Sequence, residues 1–202
     1  MPMTSYRSLW PYIWLIAALV VYSLPWQWHP TAALTLNAYD LAEWHSVLAS
    51  SQNSLLAFIV SLCLRLPLLV MGIVFAVQTR HTDNTMLGLL NWFVVLLLVI
   101  AQLPPLTALF NIFSDANNAQ QTALASLTLL LAIGINWGPV KATRWLSPLV
   151  LGIGIATSIF ALTQTIASFG NLGITVQLGG GGVLLILVFI LELVLSWRRV
   201  TS

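Results

Sequence analysis

Apolar residues in this chain come in long unbroken blocks separated by short polar joints. A hydrocarbon core of about 30 Å takes roughly 20 helical residues, which makes block length the first quantity to read. Six blocks qualify as membrane helices: Leu9 to Leu24, Ser54 to Gln78, Thr85 to Leu103, Gln121 to Trp137, Leu146 to Phe169 and Gly182 to Trp197. Pro25 stops the first, and Pro104-Pro105 are expected to end or kink the third. Beyond those prolines Leu106 to Phe113 is apolar and is expected along the membrane interface. Tyr22-Ser23-Leu24-Pro25 is a poor small-residue cleavage site, so the first block is expected to be retained as a helix.

The stretch Pro25 to Asn53 is the longest without a spanning block. Within it Asn37-Ala38-Tyr39-Asp40 has the pattern of a helix start, with Asn37 as N-cap and Asp40 three residues on. Leu41, Trp44 and Leu48 then recur at helical spacing, while Asp40 and Glu43 point elsewhere. A short amphipathic helix is expected here, lying on the outer membrane surface or on a partner and presenting Asn37, Tyr39, Asp40, Glu43, Trp44 and His45.

Composition agrees with the pattern. Of 202 residues 59% are hydrophobic and 6% charged, where a soluble domain carries about 25% charged. Mean hydropathy is +0.94. The fold class is an all-α polytopic membrane protein, residues 1–202 forming one six-helix domain. Basic residues orient it. With six spans Arg7, Arg80, Lys141, Arg144, Arg198 and Arg199 fall on one side, and Asp40, Glu43 and Asp115 on the other. The positive-inside rule puts both termini in the cytoplasm. Tryptophans fall at both ends of the spans: Trp10, Trp137, Trp145 and Trp197 on the cytoplasmic side, Trp14 and Trp92 a turn or two deeper, Trp26, Trp28 and Trp44 outside. Two interfacial belts account for them.

Arg65 lies in the second block and Glu192 in the sixth. A guanidinium in hydrocarbon costs at least about 2.5 kcal/mol and cannot shed its proton. Counted from the outer end of each block, both side chains lie roughly 15 Å deep at 1.5 Å per residue. An intramembrane ion pair Arg65–Glu192 is therefore expected, serving as a clamp between helices or as a gated coupling site. Gly154, Ser158, Ala161 and Thr165 form a small-residue stripe expected to pack against another helix. Gly179 to Gly182 reads as an outer turn that admits close packing of the sixth helix.

Other chemistry is sparse. Asp40, Glu43, His29 and His45 gather on the outer side without metal-ligand spacing, and His81 sits in a loop with Arg80 and Asp83. No metal site and no catalytic residue set is expected. No histidine falls inside an apolar block, so axial ligation of haem or chlorin is not expected from this chain. Cys63 is the only cysteine and has no internal partner. Seven scattered basic residues do not make a nucleic-acid surface.

Leu36-Asn37-Ala38-Tyr39-Asp40-Leu41-Ala42-Glu43-Trp44, followed by Leu64-Arg65-Leu66-Pro67, resembles segments of uncharacterised small polytopic membrane proteins from filamentous anoxygenic phototrophic bacteria. The resemblance implies a photosynthetic or electron-transfer membrane setting and no mechanism. The expected function is a non-catalytic accessory or assembly subunit of such a complex. Its partners would be membrane lipids and other membrane subunits, with no nucleic acid. Lipid, quinone, carotenoid or chlorin are the candidate contacts. The alternative is a small transporter or permease component with Arg65 and Glu192 lining a polar path.

Overall fold

The computed structural model describes residues 6–30, 35–80, 85–108 and 115–201, without the side chains at 6–8, 140–142, and 144. His81, Asp83 and most of the apolar stretch after Pro104-Pro105 lie outside the described residues, as do the side chains of Arg7, Lys141 and Arg144.

Each apolar block falls on one helix. In chain order the elements are α1 (Tyr6–Ser23), β1 (Gln27–Trp28), β2 (Thr35–Leu36), α2 (Ala38–Gln52), α3 (Leu55–Thr79), α4 (Thr85–Ile100), α5 (Ala116–Trp137), α6 (Val140–Asn171), β3 (Gln177–Leu178) and α7 (Gly180–Thr201). Boundaries move where local chemistry moves them. Asp115 caps α5 by accepting from the Asn117 N–H, so that helix starts five residues before the apolar block at Gln121. Helix α4 ends at Ile100, short of the prolines. Pro148 lies inside α6 near its start, and the helix runs through it.

Among the described residues four helices are long and apolar enough to cross a membrane: α3, α5, the Trp145–Asn171 part of α6, and α7. Leu9–Ser23 and Thr85–Ile100 are shorter apolar helices. Their faces are inverted relative to a water-soluble protein. On α4 Asn91 is buried, whereas Met86, Leu89, Phe93 and Ile100 are exposed. On α7 Glu192 and Ser196 are buried, whereas Leu187, Ile190, Leu191 and Val194 are exposed. In water these exposed apolar side chains would carry a hydration cost on every outward face. A lipid environment removes that cost. The most buried apolar helix is α3, with 78% of its most apolar stretch enclosed.

The chain forms two compact units. One comprises residues 1–17, 68–151 and 192–202; the other comprises 18–67 and 152–191. Helices α1, α3, α6 and α7 each contribute a part to both. In the first unit α4 packs against α5. Gly72 of α3 lies against Thr128 of α5, where an added Cβ would come within 2.7 Å of the threonine methyl.

The second unit holds a feature that the apolar pattern does not carry, a three-stranded antiparallel sheet in the order β2-β1-β3. Gln27 faces Leu36 on one side and Leu178 on the other. Strands of two residues show no alternation and leave no sequence signal. Asn37 caps α2, its side chain accepting from the Tyr39 and Asp40 N–H groups while Asp40 returns a bond to the Asn37 N–H. Asn53 closes α2 in the left-handed region at φ 49°, which asparagine tolerates, and α3 begins two residues later. So short a link forces α2 and α3 into an antiparallel hairpin.

Within that hairpin α2 buries a different face from the one its spacing predicts. Its buried stripe is Ala38, Leu41, Ala42 and His45, rotated from the Leu41–Trp44–Leu48 face read from spacing. The Ser61 hydroxyl donates to the Ala42 carbonyl at 2.9 Å, and Trp44 stacks on Phe169 of α6 with centroids 4.3 Å apart. Helix α2 is docked on its own chain.

Candidate functional site: two separate charge clusters

Arg65 is 3% exposed, deep in the second unit. One amino group donates to Ser61 Oγ, a helical turn earlier, at 2.7 Å. The other meets Glu43 Oε1 of α2 at 2.6 Å. Ser61 passes the chain of bonds on to the α2 backbone at Ala42. The Glu43 side chain is 36% exposed, so the pair is buried on one side and wet on the other. Charge-assisted bonds of this length are about twice as strong as neutral ones, and here they fix the α2–α3 hairpin. Tyr39 stands beside Glu43, where burial and then the carboxylate raise its pKa.

His45 lies two residues beyond Glu43 and is 1% exposed. Neither ring nitrogen has a hydrogen-bond partner among the described residues, although the ring meets Trp44 edge-on at 4.9 Å. Burial pushes its pKa down to about 4, which leaves it neutral at physiological pH. It sits among buried apolar neighbours on its own helix, Leu41 and Ala42.

Glu192 is fully buried in the first unit. Among the described residues three donors from three segments converge on it. Trp10 Nε1 reaches Oε2 at 2.9 Å, Gln78 Nε2 reaches Oε1 at 2.6 Å, and Arg199 forms an ion pair from two turns further along α7. The Arg199 side chain is half exposed, so its apolar stem lies along the helix while its head reaches inward. The carboxylate thereby ties α1, α3 and α7 together.

The expected Arg65–Glu192 pair is thus not the arrangement found; each charge is met by another residue within its own unit. A count from the first apolar residue of a block does not give the register of α3 against its neighbours. The Tyr22 hydroxyl, on the last turn of α1, donates to the Leu64 carbonyl, ten residues into α3. Gly179 and Gly181, at the entry to α7, donate their N–H groups to the Trp26 and Pro25 carbonyls. Within this unit Arg65 therefore lies near the end of α1 and the start of α7, and the first ten residues of α3 run beside α2 instead. The signal that carries the true partners is local: a two-residue link after α2 for Glu43, and two turns of one helix for Arg199.

Gly154, Ser158, Ala161 and Thr165 are all buried on α6, and the Gln27 amide donates to the Thr165 hydroxyl. At the glycine run, a Cβ on Gly179 would collide with the Pro25 carbonyl oxygen, and one on Gly181 would come within 2.6 Å of the Leu24 oxygen. Trp26 fills the space beside Gly181 and Gly182 and is fully buried, so it is a core residue and not a belt anchor. Trp14 is buried likewise, whereas Trp28, Trp137, Trp145 and Trp197 are exposed as belt residues would be. Among the described residues no three histidine, cysteine, aspartate or glutamate side chains gather as metal ligands would.

The fold and its clusters define an all-helical protein with apolar outward faces and polar inward ties, a description compatible with a membrane protein. Comparison with family models, curated proteins and solved structures finds no match for the chain.

Proposed function

We propose that the chain is a six-span inner-membrane protein, with α1, α3, α4, α5, α6 and α7 crossing and both termini cytoplasmic. In this reading it serves as a non-catalytic accessory or assembly subunit of a larger membrane complex, photosynthetic or electron-transferring in kind. One observation carries the reading: the buried charges, Arg65 and Glu192, are consumed by internal ties to Glu43 and Arg199. A coupling site needs an ionisable group that can exchange partners along a path. Ties that join α2 to α3, and α1 and α3 to α7, serve assembly of the bundle. What the helices turn outward is leucine, isoleucine, phenylalanine and tryptophan, which suits lipid and neighbouring apolar subunits.

Two experiments test the proposal. Topology is read in a Cys63→Ala background from single cysteines at Ser51, which is exposed on the last turn of α2, and at Thr201. A membrane-impermeant maleimide should label Ser51→Cys in intact cells and Thr201→Cys only after permeabilisation; the reverse pattern overturns the orientation. The subunit role is read by purifying the chain from its native membrane in mild detergent. Stoichiometric co-purifying membrane subunits are expected, and a lone chain with substrate flux after reconstitution would contradict the role.

A further inference from the structure

Within the first unit a half-open cavity of about 200 Å³ lies at the end of α3, lined by Thr79, Arg80, Gly88, Asn91, Trp92 and Asn136 among others. That is several times the roughly 30 Å³ that one water occupies in the liquid. The described lining holds one cation and no carboxylate. We propose that this cavity binds a phosphate group, with the phosphodiester of an anionic lipid headgroup as its membrane source.

Arg80 is the reason. Its guanidinium is held at two points, donating to Thr143 Oγ1 at 2.7 Å and to the Gly138 carbonyl at the end of α5. A guanidinium carries five N–H donors in a rigid fork and keeps its charge. Two bonds among the described residues leave three donors, enough for bidentate contact with a tetrahedral oxyanion. Because the fork is already fixed, little side-chain freedom remains to be lost on binding. The amides are oriented too. Asn91 accepts from the Tyr12 hydroxyl, and Asn136 donates to the Ala132 carbonyl, which leaves its own oxygen for a headgroup hydroxyl. Trp92 adds an indole of the kind that settles at headgroup depth. Gly88 keeps the wall open, since a Cβ there would meet nothing within 4 Å. The cavity and its cation stand on this unit alone; only the lipid source rests on the membrane reading above.

The test uses the full chain in neutral detergent, with native mass spectrometry against phosphatidylglycerol, diacylglycerol and inorganic phosphate. One phosphatidylglycerol is expected to remain bound and diacylglycerol is not. Arg80→Gln should weaken phosphatidylglycerol binding at least tenfold, and so should Gly88→Leu, which adds apolar bulk at the cavity wall and keeps the arginine. Arg198→Gln, on the exposed end of α7, should leave it unchanged. Competition by millimolar inorganic phosphate would make phosphate itself the ligand, and its failure to compete would make the lipid the source; both support the site. Should Arg80→Gln unfold, Gly88→Leu decides. Wild-type binding in Gly88→Leu, an equal loss in Arg198→Gln, or no adduct with either phosphate-bearing probe overturns the proposal. None of these readouts needs a partner subunit, so they are independent of the accessory role.

Discussion

Gly180 and Gly181 are neighbours at the start of α7, yet the structure sets opposite outcomes for replacing them with alanine. At Gly181 the new methyl would lie 2.6 Å from the Leu24 carbonyl oxygen, 2.8 Å from Trp26 Cδ1 and 3.0 Å from the Leu24 carbonyl carbon. Two of these atoms are backbone and the third belongs to a fully buried indole, so none yields cheaply. The Gly181 N–H also donates to the Pro25 carbonyl at 2.9 Å, which holds α7 against the segment it would have to leave. Overpacking of this kind costs about 1–3 kcal/mol. At Gly180 the nearest atom is Leu184 Cδ1 at 3.8 Å, an ordinary contact. There alanine should stabilise by roughly 0.4–1 kcal/mol, through loss of unfolded-state freedom. Cys63, the only cysteine and buried in α3, supplies the assay: a thiol-reactive dye reports unfolding in detergent as the sulfur becomes accessible. At about 2–4 °C per kcal/mol, Gly181→Ala should lower the midpoint by about 2–12 °C, while Gly180→Ala should hold or raise it. Equal midpoints for the two variants would refute the packing argument.

Two further outcomes follow from local geometry. Gly72→Ala places its methyl 2.7 Å from Thr128 Cγ2, so it should lower the unfolding midpoint, and Thr128→Ser in the same chain should restore most of the loss; no restoration would place the clash elsewhere. His45 is held near pKa 4, below the ordinary histidine value of about 6.5. As pH falls, the unfolded chain takes up its proton first. The stability His45 contributes is therefore complete above about pH 6.5 and is lost as pH falls toward 4. Denaturant midpoints compared at pH 7 and pH 5 should show that fall, and His45→Leu should reduce it; an unchanged pH dependence would contradict the assignment.

Hydropathy located the helices because each apolar block is longer than one turn-and-loop error. Pro25, Pro104 and the Asn37–Asp40 cap marked real chain breaks. What stayed hidden depends on pairs distant in sequence. Trp26 reads as an interfacial tryptophan until Gly181 and Gly182 are seen to make room for it. Gln27 reads as loop until two strands and Thr165 surround it. Glu43 reads as solvent-facing because helical spacing assigns faces only relative to an assumed surface, and α2 lies against α3 instead. Arg65 and Glu192 stand out in the sequence by burial cost, which is a property of each side chain. Their partners are a property of register, which block lengths do not carry.

A double-mutant cycle tests directly whether these two charges belong to separate ties. Unfolding free energies of Arg65→Leu, Glu43→Leu, Glu192→Leu and the two combinations with Arg65→Leu would be compared by the same thiol readout. Residues that share a bond should couple by about 1 kcal/mol or more, and residues without shared partners should add within about 0.3–0.5 kcal/mol. The account predicts coupling for Arg65 with Glu43 and additivity for Arg65 with Glu192. Coupling between Arg65 and Glu192, with Arg65 and Glu43 additive, would contradict it.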